Sequence, residues 1–265
     1  VRAGDSRGCE DQCVMRRAEY GRLLAQAYDI DKPEAPPREL AFYRSFIDGA
    51  PGPALEAMCG SGRFLVPLLE DGFDVDGFDA SPDMLRACEK RCAARRVSAQ
   101  LHLQAVEVLW VPRRYGLIFC GGGSFGLVAE RDDVRSALGR LREALLPGGT
   151  LVLEVETPGS AARAGVWGGR WWQRADGAFI VLRTVGAGVH DGTESALGIY
   201  ELFVDGVLTE TEINAWVRRF WSVSAIEAAV AAAGFEVVQI TRAFEPTAAS
   251  DGDDMLSVVA RRPSG

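Results

Sequence analysis

Two short segments carry residue types and a spacing that can do chemistry together. Residues 56–62 read EAMCGSG and residues 73–81 read FDVDGFDAS. The first leaves a short apolar run through a turn with glycines at 60 and 62, and the second ends an apolar run on Asp79. A turn between a strand and a helix aims backbone N–H groups at a ligand, and Gly60 and Gly62 let the main chain come close to it. The two oxygens of Asp79 can accept hydrogen bonds from both hydroxyls of a ribose. The chemistry expected is therefore the binding of a nucleoside cofactor, with Cys59, Gly60, Gly62, Asp79 and Ala80 as candidate contacts. Dinucleotide enzymes place an acidic residue at a similar distance, so a nicotinamide cofactor is the alternative, although the compact GSG departs from their GxGxxG spacing.

A succession of elements must hold these segments. Residues 55–58 read as a strand, 63–70 as a helix and 73–78 as a second strand. Ser81-Pro82 opens a helix in cap-then-proline order, with Met84, Leu85, Cys88 and Cys92 on one side. A third strand is expected at 101–103 and a fourth at 115–120, ending in GGGSFG. A periodic helix over 133–146 stops at Pro147-Gly148-Gly149 before a fifth strand at 150–155. Helix 222–233 and strands 235–240 and 255–261 close the chain. This alternation predicts an α/β doubly wound, mostly parallel sheet covered on both faces. Upstream, Met15, Ala18, Leu23, Leu24 and Ala27 form an imperfect apolar stripe ending at Asp31-Lys32-Pro33. A second short helix carries Leu40, Phe42, Tyr43, Phe46 and Ile47.

The pattern changes at Pro158. Residues 178–185, 197–204 and 207–217 alternate as antiparallel strands, with Asp205-Gly206 as a hairpin turn. The organisation expected is N-terminal helices over 1–50, a core of 51–157 and 218–265, and a β-sheet insertion over 158–217.

Composition narrows the function. The chain has 265 residues, a formal charge of −8 and a pI near 5.0. That balance argues against an enzyme that grips nucleic acid. No apolar run approaches the roughly 20 residues of a membrane span, and VRAGDSRGCEDQC lacks a signal peptide's apolar stretch, so a cytoplasmic protein with no membrane partner is expected. Neither Cys9/Cys13 nor Cys88/Cys92 has a partner pair at zinc spacing, and there are only two histidines, so no metal is expected. A small-molecule acceptor is the simpler partner, for a monomer or homodimer.

Residues 55–155 resemble the class I S-adenosylmethionine-dependent methyltransferases. GGGSFGLV, its helix and LLPGGTLVLEVETP place the chain nearer the small-molecule branch, similar to aminosugar N-methyltransferases. The resemblance implies a seven-stranded Rossmann-like sheet in the order 3-2-1-4-5-7-6 with strand 7 antiparallel, S-adenosylmethionine as cofactor, and an antiparallel β lid over the acceptor. It implies that Glu56 organises the turn and the cofactor's ammonium group, that Met84 packs on the adenine, that Tyr28 or Tyr43 meets the methionine carboxylate, and that Gly121 lies below the sulfonium. Two positions depart from the pattern. Met58 stands where the first motif has glycine, and Ala105, beside Val106, stands where an acidic residue often holds the adenine amino group, leaving backbone groups, Gln104 or Glu107.

Methyl transfer from a sulfonium needs alignment rather than a metal or a covalent nucleophile. His190 and Tyr200 are the candidate catalytic residues, His190 as a base near neutral pH. Ser124, Trp167, Trp171, Trp172, Arg174 and Asn214 are the candidate acceptor contacts, since aromatic faces could stack on a sugar-like molecule or favour an amine cation. The function expected is methyl transfer to an amine or hydroxyl of a small molecule, a sugar-containing or aromatic natural product such as arises in antibiotic biosynthesis. The alternatives are an NAD-dependent oxidoreductase and a non-catalytic S-adenosylmethionine-binding regulator.

Overall fold

Apolar runs of four to six residues between glycine turns form strands when both of their faces can be buried. In a computed structural model, which describes residues 20–161 and 163–264, they do so around one large sheet. The elements are α1 (Arg22–Asp31), α2 (Pro37–Ile47), β1 (Ala54–Ala57), α3 (Leu65–Glu70), β2 (Val75–Asp79), α4 (Pro82–Arg95), β3 (Leu101–Leu103), β4 (Tyr115–Cys120) and α5 (Arg131–Ala144). There follow β5 (Leu145–Glu156), β6 (Gly168–Gln173), β7 (Phe179–His190), β8 (Thr193–Val204), β9 (Val207–Arg219), α6 (Val223–Ala232), β10 (Glu236–Arg242) and β11 (Met255–Arg261). Met15 and Ala18 of the expected apolar stripe, and Cys9 and Cys13, lie outside the described residues.

The large sheet has the order β3-β2-β1-β4-β5-β11-β10. β1 pairs in parallel with β2 and β4, and β11 runs antiparallel between β5 and β10. This is the expected class I order, with the C-terminal strand inserted beside the fifth. Period-two alternation serves two cores: Leu117 and Phe119 of β4 face Tyr43, Phe64 and Leu68 on one side, while Ile118 and Cys120 join Leu138, Leu141 and Ile226 on the other. Each such buried side chain contributes about 1.5–3 kcal/mol. β5 begins at Leu145 rather than 150, because the chain leaves α5 at Ala144 and passes Pro147 in extended form, with Gly148 at φ +76°.

The remaining strands form a four-stranded antiparallel sheet, β6-β7-β8-β9. Three hairpins, not one, build it: residues 174–178 join β6 to β7, and two tight turns join the later strands. Asp191-Gly192 and Asp205-Gly206 both have positive φ at each residue (50° and 76°, 50° and 79°), the geometry of a tight type I′ turn. The first escapes a reading by alternation because the glycines at 186 and 188 interrupt the apolar pattern before it. β6 escapes for a similar reason, with Gly168-Gly169 and two adjacent tryptophans. One face of this sheet packs on α1, where Leu23 and Ala27 meet Ala178, Ile180, Tyr200 and Leu202.

Candidate active site

The turn after β1 is tight. Met58, Gly60 and Gly62 have φ of 56°, 55° and 78°. At Gly62 a Cβ would stand 2.6 Å from Cys88 Sγ and 3.1 Å from Val66 Cγ2, so α4 and α3 close on the bare backbone. Met58 adopts a left-handed conformation that costs a residue with a Cβ roughly 1–2 kcal/mol, and its side chain packs against the core under α5 and α6. The departure at this position is thus met by turning the side chain into that core.

Asp79 is held by this turn. Its Oδ2 accepts from the Gly60 N–H at 2.9 Å and its Oδ1 from the Ser81 N–H at 2.8 Å. Burial raises its pKa, and the N–H groups of Ser81, Gly60 and Ala80 oppose that rise. Each oxygen keeps a further acceptor position for a ribose hydroxyl. The Gly60 N–H is committed to Asp79, so the turn orients the carboxylate instead of presenting that donor to a ligand. Cys59 is buried, and Met84 Sδ lies 4.0 Å from where a Gly60 Cβ would be. After β3, Ala105 leads into a 3-10 turn at Val106–Val108. The Gln104 amide is spent on that loop, donating to the Trp110 carbonyl at 2.8 Å and accepting its N–H at 2.9 Å.

Two buried groups of opposite character flank the turn. Glu56 is 3% exposed and Arg63 9%. Glu56 Oε2 and Arg63 Nε have no hydrogen-bond partner among the described residues. Desolvation lifts the Glu56 pKa to about 8 against the pull of Arg63. The guanidinium of Arg63 lies 4.4 Å over the Phe64 ring, and its NH2 is 3.4 Å from Glu39. Buried polar atoms left open in this way are expensive unless a ligand completes them. An unpaired acceptor and an unpaired donor fit the ammonium and carboxylate of an amino-acid end. Arg63 was missed from sequence, although its place directly after GSG was a usable signal.

A cavity of about 340 Å³ adjoins this region, walled by α1, the glycine segment after β4, the end of β5 and the inner face of the small sheet. Of the residues singled out from sequence, Tyr28, Ser124, Trp172, Tyr200 and Asn214 line it. Burial raises the Tyr200 pKa to about 12, so this hydroxyl keeps its proton at neutral pH and serves as a donor. The Trp172 indole N–H donates to Asp31 Oδ1 at 3.1 Å, and the Asn214 amide to Glu212 Oε1 at 2.8 Å. Tyr20, Asp31, Lys32, Glu156, Trp216 and Arg218 also line the cavity and were not read from sequence.

Other candidates stand elsewhere. His190, at the end of β7, is exposed and does not line the cavity; the hairpin turn that follows carries it to the edge of the sheet. Trp171 is 65% exposed because neighbours on a strand point to opposite faces, so only Trp172 can point inward. Trp167 is 54% exposed, before β6 begins. Arg174 pairs with Asp176 at 2.6 Å and reaches Gln26. Tyr43 is fully buried on the apolar face of α2, and its hydroxyl is bonded to Glu154, whose Oε2 accepts the Gly122 N–H at 2.6 Å. It therefore braces the glycine segment from behind. Gly121 is the neighbour of that clamp, where a Cβ would meet Phe64 and the Tyr43 hydroxyl at 2.8 and 2.9 Å. No cluster of three or more potential metal ligands occurs among the described residues, and no described helix is long and apolar enough to cross a membrane.

The sheet order, with its antiparallel strand beside the fifth, is that of the class I methyltransferase fold. Residues 54–149 match the methyltransferase domain family, and over that span the chain carries this domain on a class I fold. The glycine/sarcosine N-methyltransferase of Halorhodospira halochloris is 36% identical over 104 residues, 38% of each chain. The dTDP-3-amino-3,6-dideoxy-alpha-D-glucopyranose N,N-dimethyltransferase of Streptomyces fradiae is 28% identical over 144 residues, 52% of this chain and 55% of that one. The chain thus aligns with about two-fifths to just over half the length of these curated relatives. Among solved structures, the sugar N-methyltransferase KedS8 from Streptoalloteichus superposes with a TM-score of 0.72 at 18% identity, covering 99% of both chains. That likeness extends the shared fold to the small sheet.

Proposed function

We propose that this protein transfers a methyl group from S-adenosylmethionine to an amine or hydroxyl of a small molecule. The observation that carries the reading is the pair of open buried groups, Glu56 Oε2 and Arg63 Nε, together with Asp79, whose carboxylate the Gly60 and Ser81 N–H groups hold. Glu56 would take the cofactor's ammonium group, Arg63 its carboxylate and Asp79 its ribose hydroxyls. When bound, the cofactor supplies an electrophilic methyl on a positively charged sulfur. The protein's own part is to align the acceptor and exclude water, and the half-open cavity with its tyrosine and tryptophan walls suits that task once an acceptor fills it. In this reading α1 and the small sheet act as a lid over an acceptor small enough for about 340 Å³. The names of the relatives, which act on glycine, sarcosine and an aminosugar, support a small amine-bearing acceptor.

Calorimetry with S-adenosylhomocysteine tests the cofactor. We expect binding by the wild type and at least tenfold weaker binding by Asp79→Ala. Binding of NAD with none of S-adenosylhomocysteine returns the chain to the oxidoreductase alternative. Screening acceptors with labelled cofactor, with the modified atom located by mass spectrometry and NMR, tests the substrate class; preferential methylation of nucleic acid or protein would overturn it.

A further inference from the structure

Two carboxylates line the cavity, and the protein has used them differently. Asp31 has both oxygens engaged: Oδ1 accepts from the Trp172 indole at 3.1 Å and from Arg170 at 3.2 Å, and Oδ2 accepts from Arg170 at 3.1 Å. Glu156, at the C-terminal end of β5, is only half committed. Its Oε2 accepts from Arg218 NH1 at 3.1 Å, whereas Oε1 has no hydrogen-bond partner among the described residues. The side chain lies directly on the glycine segment, since a Cβ at Gly123 would come within 3.1 Å of Glu156 Cγ and 3.5 Å of Cδ.

Arg218 is itself locked. It donates from Nε to Glu194 at 3.0 Å, approaches the same carboxylate through NH2 at 2.9 Å, and rests over the Phe220 ring at 4.6 Å. Glu194 is 1% exposed, so the arginine is held from behind by a buried anion and cannot swing to cover both oxygens of Glu156. Tyr20, Tyr28, Tyr200 and Trp216 line the same cavity, and their aromatic faces favour a cation.

We propose that Glu156 is the acceptor-binding residue and that it selects an amine over a hydroxyl, its Oε1 taking an N–H hydrogen bond from the acceptor nitrogen. The inference rests on the methyl-transfer reading above and deepens it by naming the acceptor atom. The charge-assisted contact places the nitrogen against the glycine segment. An acceptor that enters as ammonium first gives one proton to Glu156 Oε1 and thence to water, and the freed lone pair then forms the N–C bond as the C–S bond breaks and its electron pair stays on sulfur. The nitrogen, now cationic, sheds its extra proton to Glu156 Oε1 and thence to water. A neutral hydroxyl makes a weaker bond to the same oxygen and gains nothing from the aromatic walls.

The test compares the wild type with Glu156→Gln. In the variant the amide oxygen can keep the bond from Arg218, which turns an NH2 donor, unable to accept an N–H, toward the acceptor. The probes are 3-amino-3-deoxy-D-glucose and glycine, each with its hydroxyl counterpart, D-glucose and glycolate. They are assayed for methylation by labelled S-adenosylmethionine and for binding to the S-adenosylhomocysteine-loaded protein by calorimetry. We expect the wild type to bind and methylate at least one amine at least tenfold better than its counterpart. Glu156→Gln should lose at least thirtyfold in kcat/KM and the tenfold binding preference, while keeping S-adenosylhomocysteine affinity within threefold, which also shows that it is folded. Amine turnover unchanged in the variant, comparable use of amine and hydroxyl by the wild type, or no binding and no transfer to either amine would each overturn the assignment. Failure of the wild type to bind S-adenosylhomocysteine would instead strike the cofactor reading.

Discussion

At the scale of single residues, the site holds three carboxyl groups, Glu56, Asp79 and Glu154, whose burial favours the neutral form. Burial raises the Glu56 pKa to about 8 and the Glu154 pKa to about 7, the latter against hydrogen bonds from Tyr43 and Gly122. Carboxyls with an ordinary pKa of 4.5 release their protons earlier in the unfolded chain. Between about pH 5 and 8 the folded state therefore binds more protons, and stability falls as pH rises, levelling off above about 8. Calorimetric melts of the ligand-free protein should show a loss of roughly 2 kcal/mol or more across that range, and Glu56→Gln should flatten much of it. A slope unchanged by Glu56→Gln would mean that this carboxyl is already ionised near pH 5. Glu56 was readable from its place ahead of the glycine turn, but its open oxygen was not, because burial depends on residues far along the chain.

At the scale of elements, the turn between β1 and α3 works because α4 packs against it. Gly62 combines φ +78° with a Cβ position occupied by Cys88 Sγ at 2.6 Å. Gly62→Ala should cost about 2–3 kcal/mol, from backbone strain together with overpacking. It should also weaken S-adenosylhomocysteine binding by tenfold or more, because moving the turn moves the Gly60 N–H off Asp79. Denaturant unfolding and calorimetry check the two effects separately, and a variant as stable as the wild type would sink the packing argument. The order of these elements was legible from apolar runs and glycine spacing, and the ends of β3, β4 and β11 match the expected ones. β6 and the Asp191-Gly192 hairpin were not, since glycines and paired tryptophans blur the two-residue period there.

For the whole molecule, α1 is the link between the large sheet and the small one. It lacks a side-chain cap of its own. Glu212 of β9 supplies one instead, accepting the N–H groups of Leu23 at 2.8 Å and Leu24 at 3.3 Å. Asp31 at the other end takes Arg170 and Trp172 of β6, and Asp29 pairs with Arg91 of α4 at 2.8 Å. Glu212→Ala should cost about 1–2 kcal/mol as a lost cap. Hydrogen exchange should speed up in α1 while the strands of the large sheet keep their protection. Exchange rising equally in both would show that the helix is not a separate hinge between the sheets. The cavity lies between these parts, so if it takes the acceptor as proposed, loosening α1 should raise KM for the acceptor more than it weakens S-adenosylhomocysteine binding.

Local pattern by itself determined the doubly wound core, the glycine turn and Asp79, because strand period, turn chemistry and the distance from turn to aspartate are all set by neighbours in the chain. Tertiary structure alone decided which side chains meet in the cavity. Trp171 and Trp172 are adjacent in sequence yet face opposite ways, and His190, ahead of the tight Asp191-Gly192 turn, stands exposed at the end of β7, away from the cavity. Glu156, Arg218, Asp31 and Tyr20 come together from β5, β9, α1 and the segment before it. Their identity as a site arises from long-range pairing and packing, which bring distant residues together without leaving a period or a motif in the chain.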